Sequence, residues 1–228
     1  MTNLEMLSLT ARGLGALKDE AVFVGGATIE LYLAGQPGLK IRPTDDVDCV
    51  VEVVSRVEYH KIEERLRALG FRHPLGGRAP ICRWEYQGVS VDVMPIEGKI
   101  LGFSNRWYPE GFAKSIVTKL PDGQDIRIFT LPYLVASKVE AFKDRGKGDY
   151  LGSTDLEDIV ALLDGVPDFR EQVQGAPESV QAYLRESFEE FLEDERFLDS
   201  LEGHLPPDGR RERVERVLAI LQGLRPGK

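Results

Sequence analysis

The chain has only two cysteines, Cys49 and Cys82, in 228 residues. That is too few for a disulfide framework or a cysteine-built zinc centre, and it fits reduced thiols in a cytoplasmic setting. Its three histidines, His60, His73 and His204, share no metal-ligand spacing, and no Ser-His-Asp arrangement is legible around them. No apolar run approaches the ~20 residues that a membrane-spanning helix requires. The start, Met1-Thr2-Asn3-Leu4-Glu5, is neither basic nor followed by an apolar stretch, so no secretory leader and no membrane partner are expected. A basic excess is missing as well: 29 Lys and Arg stand against 38 Asp and Glu, a net charge of −9. Strong nonspecific binding of nucleic acid relies on cations set against phosphates, so the balance argues against it. Two local basic clusters, Arg65/Arg67/Arg72/Arg78/Arg83 and Lys143/Arg145/Lys147, could line a polyanion groove, but solvated surface is the simpler reading.

What is present is an ordinary globular composition, 42% hydrophobic and 29% charged, long enough for one large domain or two small ones. Leucines at near-helical spacing predict a leading helix over 3–18. A short buried strand over 21–24 runs into Gly25-Gly26 and then a helix over about 27–34. A strand follows over 47–54, then an amphipathic helix over 59–69 stopped by Gly70. Strands near 81–86 and 89–94 flank Gln87-Gly88 as a tight hairpin. Residues 99–120 give no clear pattern beyond an extended run over 115–120, which a turn at Pro121-Asp122-Gly123-Gln124 separates from another over 125–129. Beyond Thr130-Leu131-Pro132 the pattern becomes helical, over 132–144, 155–164, 168–173, 177–200 and 208–223, with Ser153 or Thr154 as a cap. The expectation is an α+β protein with an α/β core over 1–130 and a helical C-terminal domain over 131–228.

The densest signal is Thr44-Asp45-Asp46-Val47-Asp48-Cys49-Val50-Val51. Side chains two apart on a strand share a face, so Asp46 and Asp48 would aim two carboxylates at one region while Cys49 faces the core. Like charges held that close call for a cation, and hard divalent cations prefer carboxylate oxygens. Upstream, Gly25-Gly26 offers backbone N–H groups at a turn, a natural phosphate nest. Asp92, the lone charge in Val89-Ser90-Val91-Asp92-Val93-Met94, would complete a triad if its strand lies beside that of Asp46. Three carboxylates could hold two metal ions roughly 3.5–4 Å apart. The plainer readings are turn residues for Asp46, a solvent-facing hairpin residue for Asp92 and a simple strand-to-helix turn for the glycines. They explain Asp48, inside an apolar run, least well.

This order of Gly-Gly, Asp-x-Asp and a later lone Asp resembles the nucleotidyltransferase superfamily related to DNA polymerase β. Arg42-Pro43-Thr44-Asp45-Asp46-Val47-Asp48 is similar to the R-x-[ST]-x-D-[IV]-D motif of the AbiEii/MenT-like nucleotidyltransferases. Lys138-Val139-Glu140-Ala141, Arg145 and Asp155-Leu156-Glu157-Asp158 resemble that family's later helical signature. The likeness covers roughly residues 20–165. Two features depart from the superfamily: the phosphate turn reads Gly25-Gly26-Ala27-Thr28, so a hydroxyl contact falls to Thr28, and the stretch to Asp46 is long, with Gln36-Pro37-Gly38 in its middle. The resemblance implies a polymerase-β-like mixed-sheet core and transfer of a nucleoside monophosphate from an NTP, with release of pyrophosphate. It implies two Mg²⁺ ions held by Asp46, Asp48 and Asp92, a triphosphate cradled by Gly25, Gly26 and Thr28, and catalytic parts for Lys138 and Asp155. Lys138 would neutralise the triphosphate, and its replacement by Ala would weaken NTP binding while sparing stability, as for a surface lysine. The acceptor implied is a tRNA 3′ end, the protein being the toxin of a toxin–antitoxin pair with an antitoxin protein as partner. One alternative keeps the chemistry and takes an aminoglycoside- or lincosamide-type antibiotic as acceptor, and the acidic charge suits a cationic acceptor. Another is a non-catalytic protein of the same fold, against which the intact triad argues.

Overall fold

The computed structural model describes residues 1–33, 39, 41–75, 79–146 and 148–225. The expected loop at Gln36-Pro37-Gly38 and two of the basic residues, Arg78 and Lys147, lie outside the described residues. Among those described, the chain is α+β, with one mixed sheet of six strands and eleven α-helices. No described helix is long and apolar enough to cross a membrane.

The chain divides into two compact units. The first comprises Met1–Glu30 and Pro43–Thr130, the second Leu31–Arg42 and Leu131–Lys228. This grouping departs from an uninterrupted division at residue 130, because the excursion between the glycine turn and the acidic strand belongs with the helices. Its contacts show why. Leu33 packs so closely on Gly165 that a Cβ there would clash with the leucine side chain, and the Arg42 guanidinium pairs with Glu157 at 3.3 Å and Asp158 at 3.4 Å.

The first unit opens with α1 (Asn3–Leu14), held at its start by a capping box between Thr2 and Glu5. A 3₁₀ stretch, Gly15–Glu20, replaces the remainder of the expected leading helix. Strand β1 (Ala21–Val24) is buried throughout, and α2 (Ile29–Leu33), whose residues from Leu31 onward belong to the second unit, follows the turn after it. Then come β2 (Asp46–Val51), α3 (Arg56–Ala68), β3 (Arg83–Tyr86) and β4 (Val89–Pro95). Ser55 caps α3 by accepting from Glu58 N–H, and Gly70 at φ +92° lets the chain turn away. Gln87 and Gly88, at φ +48° and +84°, make the tight hairpin turn expected between β3 and β4. The stretch without a clear pattern folds as two short helices, α4 (Gly98–Leu101) and α5 (Tyr108–Ala113), before the hairpin of β5 (Ile116–Lys119) and β6 (Asp125–Ile128).

The sheet order is β3-β4-β2-β1-β6-β5. β2 runs parallel to β4 and β1 parallel to β6, while the other neighbours are antiparallel. Alternation along the strands sorts the side chains. Val47, Cys49, Trp84, Val91 and Val93 go to one face and are buried there, so Cys49 faces the core. Burial raises the Cys49 thiol well above its ordinary pKa and pushes that of Cys82 up to about 12, as expected for inert thiols. Asp46, Asp48, Arg83, Glu85, Ser90 and Asp92 share the other face.

The second unit comprises α6 (Leu131–Arg145), α7 (Thr154–Gly165), α8 (Phe169–Gln174), α9 (Glu178–Glu193), α10 (Glu195–His204) and α11 (Arg210–Gly223). Ser153 caps α7 through Leu156 N–H. The single helix expected over 177–200 is broken at Asp194, whose backbone is extended and whose carboxylate accepts from Arg196 N–H to start α10. Phe142, Phe188, Phe191 and Phe197 form the aromatic centre of this unit, with Phe191 stacked on Phe197 at 5.0 Å.

Candidate active site

Strand register builds the acidic site. In the parallel pair of β2 and β4, Asp48 lies opposite Asp92 and Asp46 opposite Ser90. In the antiparallel pair of β3 and β4, Asp92 lies opposite Arg83. Paired residues point to the same side of a sheet, so Asp48, Asp92 and Arg83 form one row across three strands, with Asp46 in the next row. The three carboxylates read from the sequence are therefore brought onto one face.

A fourth residue joins them. Arg83 grips Asp92 with two parallel bonds, Nε to Oδ1 at 2.8 Å and Nη2 to Oδ2 at 2.7 Å. The same Nη2 donates to Asp46 Oδ2 at 2.6 Å. The hydrogen bonds to Asp92 raise the guanidinium pKa beyond its already high ordinary value, and the charges of Asp92, Asp46 and Asp48 add to this. Thr44 completes the ring of partners: its Oγ1 donates to Asp46 Oδ1 at 3.3 Å, and its N–H donates to Asn3 Oδ1 at 3.1 Å. Asp92 is buried, while Asp46 and Arg83 are about a quarter to a third exposed, so the group is open to solvent on one side.

The glycine turn adjoins this row. Val24, the last residue of β1, pairs with Asp48. Gly25 then adopts φ +77° and ψ −165°, a conformation open essentially to glycine alone. A Cβ on Gly25 would overlap the Asp48 carboxylate. Gly26–Thr28 forms a 3₁₀ turn leading into α2. Thr28 is buried, and its hydroxyl donates to Gly25 C=O at 2.9 Å, so its proton is spent inside the turn.

Lys138 and Asp155 are brought together in the helical unit. Lys138 Nζ lies 3.2 Å from Asp155 and 2.7 Å from Asp158, and all three are buried. Arg145 adds a fork to Asp155 at 2.8 and 2.9 Å, and Arg42 reaches Asp158. Burial pushes the Asp155 pKa up, but the hydrogen bond from Arg145 and the charge of Lys138 more than reverse this and leave it below 3.8. The surface-lysine picture of Lys138 is thereby corrected. The residue is enclosed because Asp155 and Asp158, one helical turn apart on α7, present two carboxylates to the same ammonium.

For a divalent cation the donor set is chemically apt: hard carboxylate oxygens, gathered where one positively charged nitrogen already bridges Asp46 and Asp92. The geometry is that of carboxylates closed on a guanidinium. Among the described residues no group of three or more His, Cys, Asp and Glu side chains is assembled to hold a metal ion.

The chain matches no known protein-family profile. It also matches no curated protein.

Proposed function

We propose that the protein is a metal-dependent nucleotidyltransferase, similar to the AbiEii/MenT-like group within the polymerase-β-like superfamily. The observation that carries this reading is the register that sets Asp48 beside Asp92 and follows Val24, the partner of Asp48, with the positive-φ Gly25 turn. Such a juxtaposition of acidic row and bare backbone turn suits a polyphosphate with its counter-cations. Asp46, Asp48 and Asp92 would hold Mg²⁺, two ions on the analogy of the superfamily. When bound, Mg²⁺ neutralises phosphate charge and lowers the pKa of the attacking hydroxyl. The N–H groups of the Gly25-Gly26 turn bind the β- and γ-phosphates and orient the α-phosphate for in-line attack. Asp92, the most enclosed of the three carboxylates, takes up the acceptor proton. Catalysis on this reading is chiefly positioning and charge neutralisation. The family likeness extends to Lys138 and Asp155, whose mutual ion pair gives the helical unit a fixed charged cluster. The acceptor proposed is a tRNA 3′ end, with a toxin role and an antitoxin partner following from the same likeness. The net charge of −9 keeps a cationic antibiotic as the alternative acceptor.

One observation favours a non-catalytic reading: the guanidinium seated on Asp46 and Asp92 satisfies those carboxylates without a metal. The test is incubation with each labelled NTP, Mg²⁺ and total tRNA, with a pool of aminoglycosides and lincosamides in parallel. Label transferred to tRNA, and lost in Asp48→Asn, supports the leading reading. Transfer to the small molecules alone replaces the acceptor, and transfer to neither leaves the binding protein.

A further inference from the structure

We propose that β5 is a self-association edge, on which a second copy of this chain adds its own β5 antiparallel, so that two six-stranded sheets join into one. The inference stands apart from the reaction proposed above and requires no ligand.

The two edges of the sheet differ. Beyond β3, Arg72 pairs with Glu85 through two backbone bonds, Arg72 N–H to Glu85 C=O at 3.0 Å and Glu85 N–H to Arg72 C=O at 2.7 Å, and these cover that side. At the opposite edge, β5 pairs with β6 alone among the described residues. Leu120 N–H donates to Gln124 C=O at 2.8 Å. Alternation along the antiparallel pair then sends the backbone groups of Thr118 towards β6 and those of Val117 and Lys119 outward. The same edge carries Val117, 67% exposed, and Ile116, 46% exposed, on opposite faces of the strand. Outward amide donors and acceptors between exposed apolar side chains are a template for one more strand.

The residues of β5 select a copy of itself as that strand. A two-fold pair centred on Val117 sets Val117 against Val117, Ile116 against Thr118 and Lys119 against Ser115. Val117 N–H and C=O then bond their counterparts in the copy, and Lys119 N–H bonds the Ser115 C=O there. Ser115 N–H is already spent on Phe112 C=O at 3.3 Å. The charges agree with this register. Lys119 meets a hydroxyl rather than a second lysine and keeps its own Asp125 at 2.8 Å. Lys114 lies opposite Leu120, at the entry to the Pro121-Asp122 turn of the copy, so opposite charges approach. A shift of two residues one way sets Lys119 on Val117, and a shift the other way runs Lys119 past the strand to Ala113 of α5. A strand of four residues buries less than the roughly 1,200–2,000 Å² of a stable interface, so the dimer exchanges with monomer.

Sedimentation equilibrium of the full-length protein up to about 1 mM reads the association. The expected result is a reversible monomer–dimer equilibrium. Val117→Lys and Val117→Glu each set like charges on the two-fold axis and should raise the dimer Kd about tenfold or more. A mixture of the two variants sets Lys against Glu and should restore a Kd within about threefold of wild type. Amide exchange in the wild type gives a second reading that needs no variant to fold. Val117 N–H and Lys119 N–H should exchange more slowly as protein concentration rises, while Thr118 N–H, already bonded to β6, should not change. A monomer at every concentration, a dimer that both variants leave intact, variants that stay apart when mixed, or exchange at Val117 and Lys119 independent of concentration overturns the proposal.

Discussion

Gly25 and Asp48 occupy adjoining space that no larger residue at 25 could share. A Cβ at 25 would overlap the Asp48 carboxylate, and the backbone there sits at φ +77°. Gly25→Ala should therefore displace Asp48 and strain the turn together, at a cost on the order of 1–3 kcal/mol. Thermal melts and Mn²⁺ titration of the variant check this. A melting temperature and Mn²⁺ affinity both equal to wild type would show that the turn relaxes freely.

Asp48→Asn is expected to remove transfer and leave the fold intact. The amide is nearly isosteric, and Asp48 is only half-buried within β2. The rate should drop on the order of 10²–10³-fold or more, as when one element of electrostatic stabilisation is lost. Single-turnover transfer assays on variant protein with an unchanged far-ultraviolet dichroism spectrum decide it. Retained activity would take Asp48 out of the mechanism.

Lys138→Ala should destabilise the protein by about 3 kcal/mol, since removing one partner of a buried ion pair leaves its counter-charge enclosed. Two carboxylates, on Asp155 and Asp158, lose their shared ammonium, while Arg145, mostly exposed, and Arg42 remain against them. Denaturant unfolding is the measurement. A midpoint within error of wild type would return Lys138 to the status of a surface lysine.

Much of the sheet was legible because alternation and turn chemistry are local. Gln87-Gly88 sets the hairpin, and period-two burial sets which residues of β2 and β4 face together. Arg83 reads as one of a surface basic cluster by composition, but counting outward from the turn pairs Tyr86 with Val89, Glu85 with Ser90, Trp84 with Val91 and so Arg83 with Asp92. The break at Asp194 is not legible because Phe188, Phe191 and Phe197, on either side of it, are all buried, so the stretch reads as one helix with one buried face. The burial of Lys138 escaped because it depends on a second helix, α7, meeting α6. The assignment of Leu31–Arg42 to the helical unit is likewise tertiary, resting on Leu33 against Gly165 and Arg42 against Asp158.

The depressed pKa of Asp155 fixes the direction of a pH effect. A carboxyl whose folded pKa lies below its unfolded value stabilises the fold while ionised, and the contribution is complete above the unfolded value. It is lost as pH falls from about 3.8 through the lower folded pKa. The difference in melting temperature between wild type and Asp155→Asn should hold steady from pH 7 to about 5 and shrink below pH 4. Arg145 is mostly exposed, so added salt should also reduce the difference. A gap independent of pH down to 3 would mean that Asp155 is not held ionised by its partners.

Asp164, at the end of α7, carries a separate latch. Its carboxylate is fully enclosed and accepts from both Arg213 and Arg216 of α11. Arg213 is largely covered, whereas Arg216 is half exposed. Either arginine alone can still neutralise Asp164, so Arg213→Ala and Arg216→Ala should each cost little, about 1–2 kcal/mol, with the larger loss at Arg213. Removing both leaves a buried charge without a counter-ion, a change worth about 3–5 kcal/mol. The double variant should therefore lose more than the two single variants added together, a coupling expected when two groups share one partner. Denaturant unfolding of the four proteins gives the cycle, and amide exchange reports whether α11 is the element that loosens. Strict additivity would show that the two arginines act independently and that Asp164 does not anchor the helix through both.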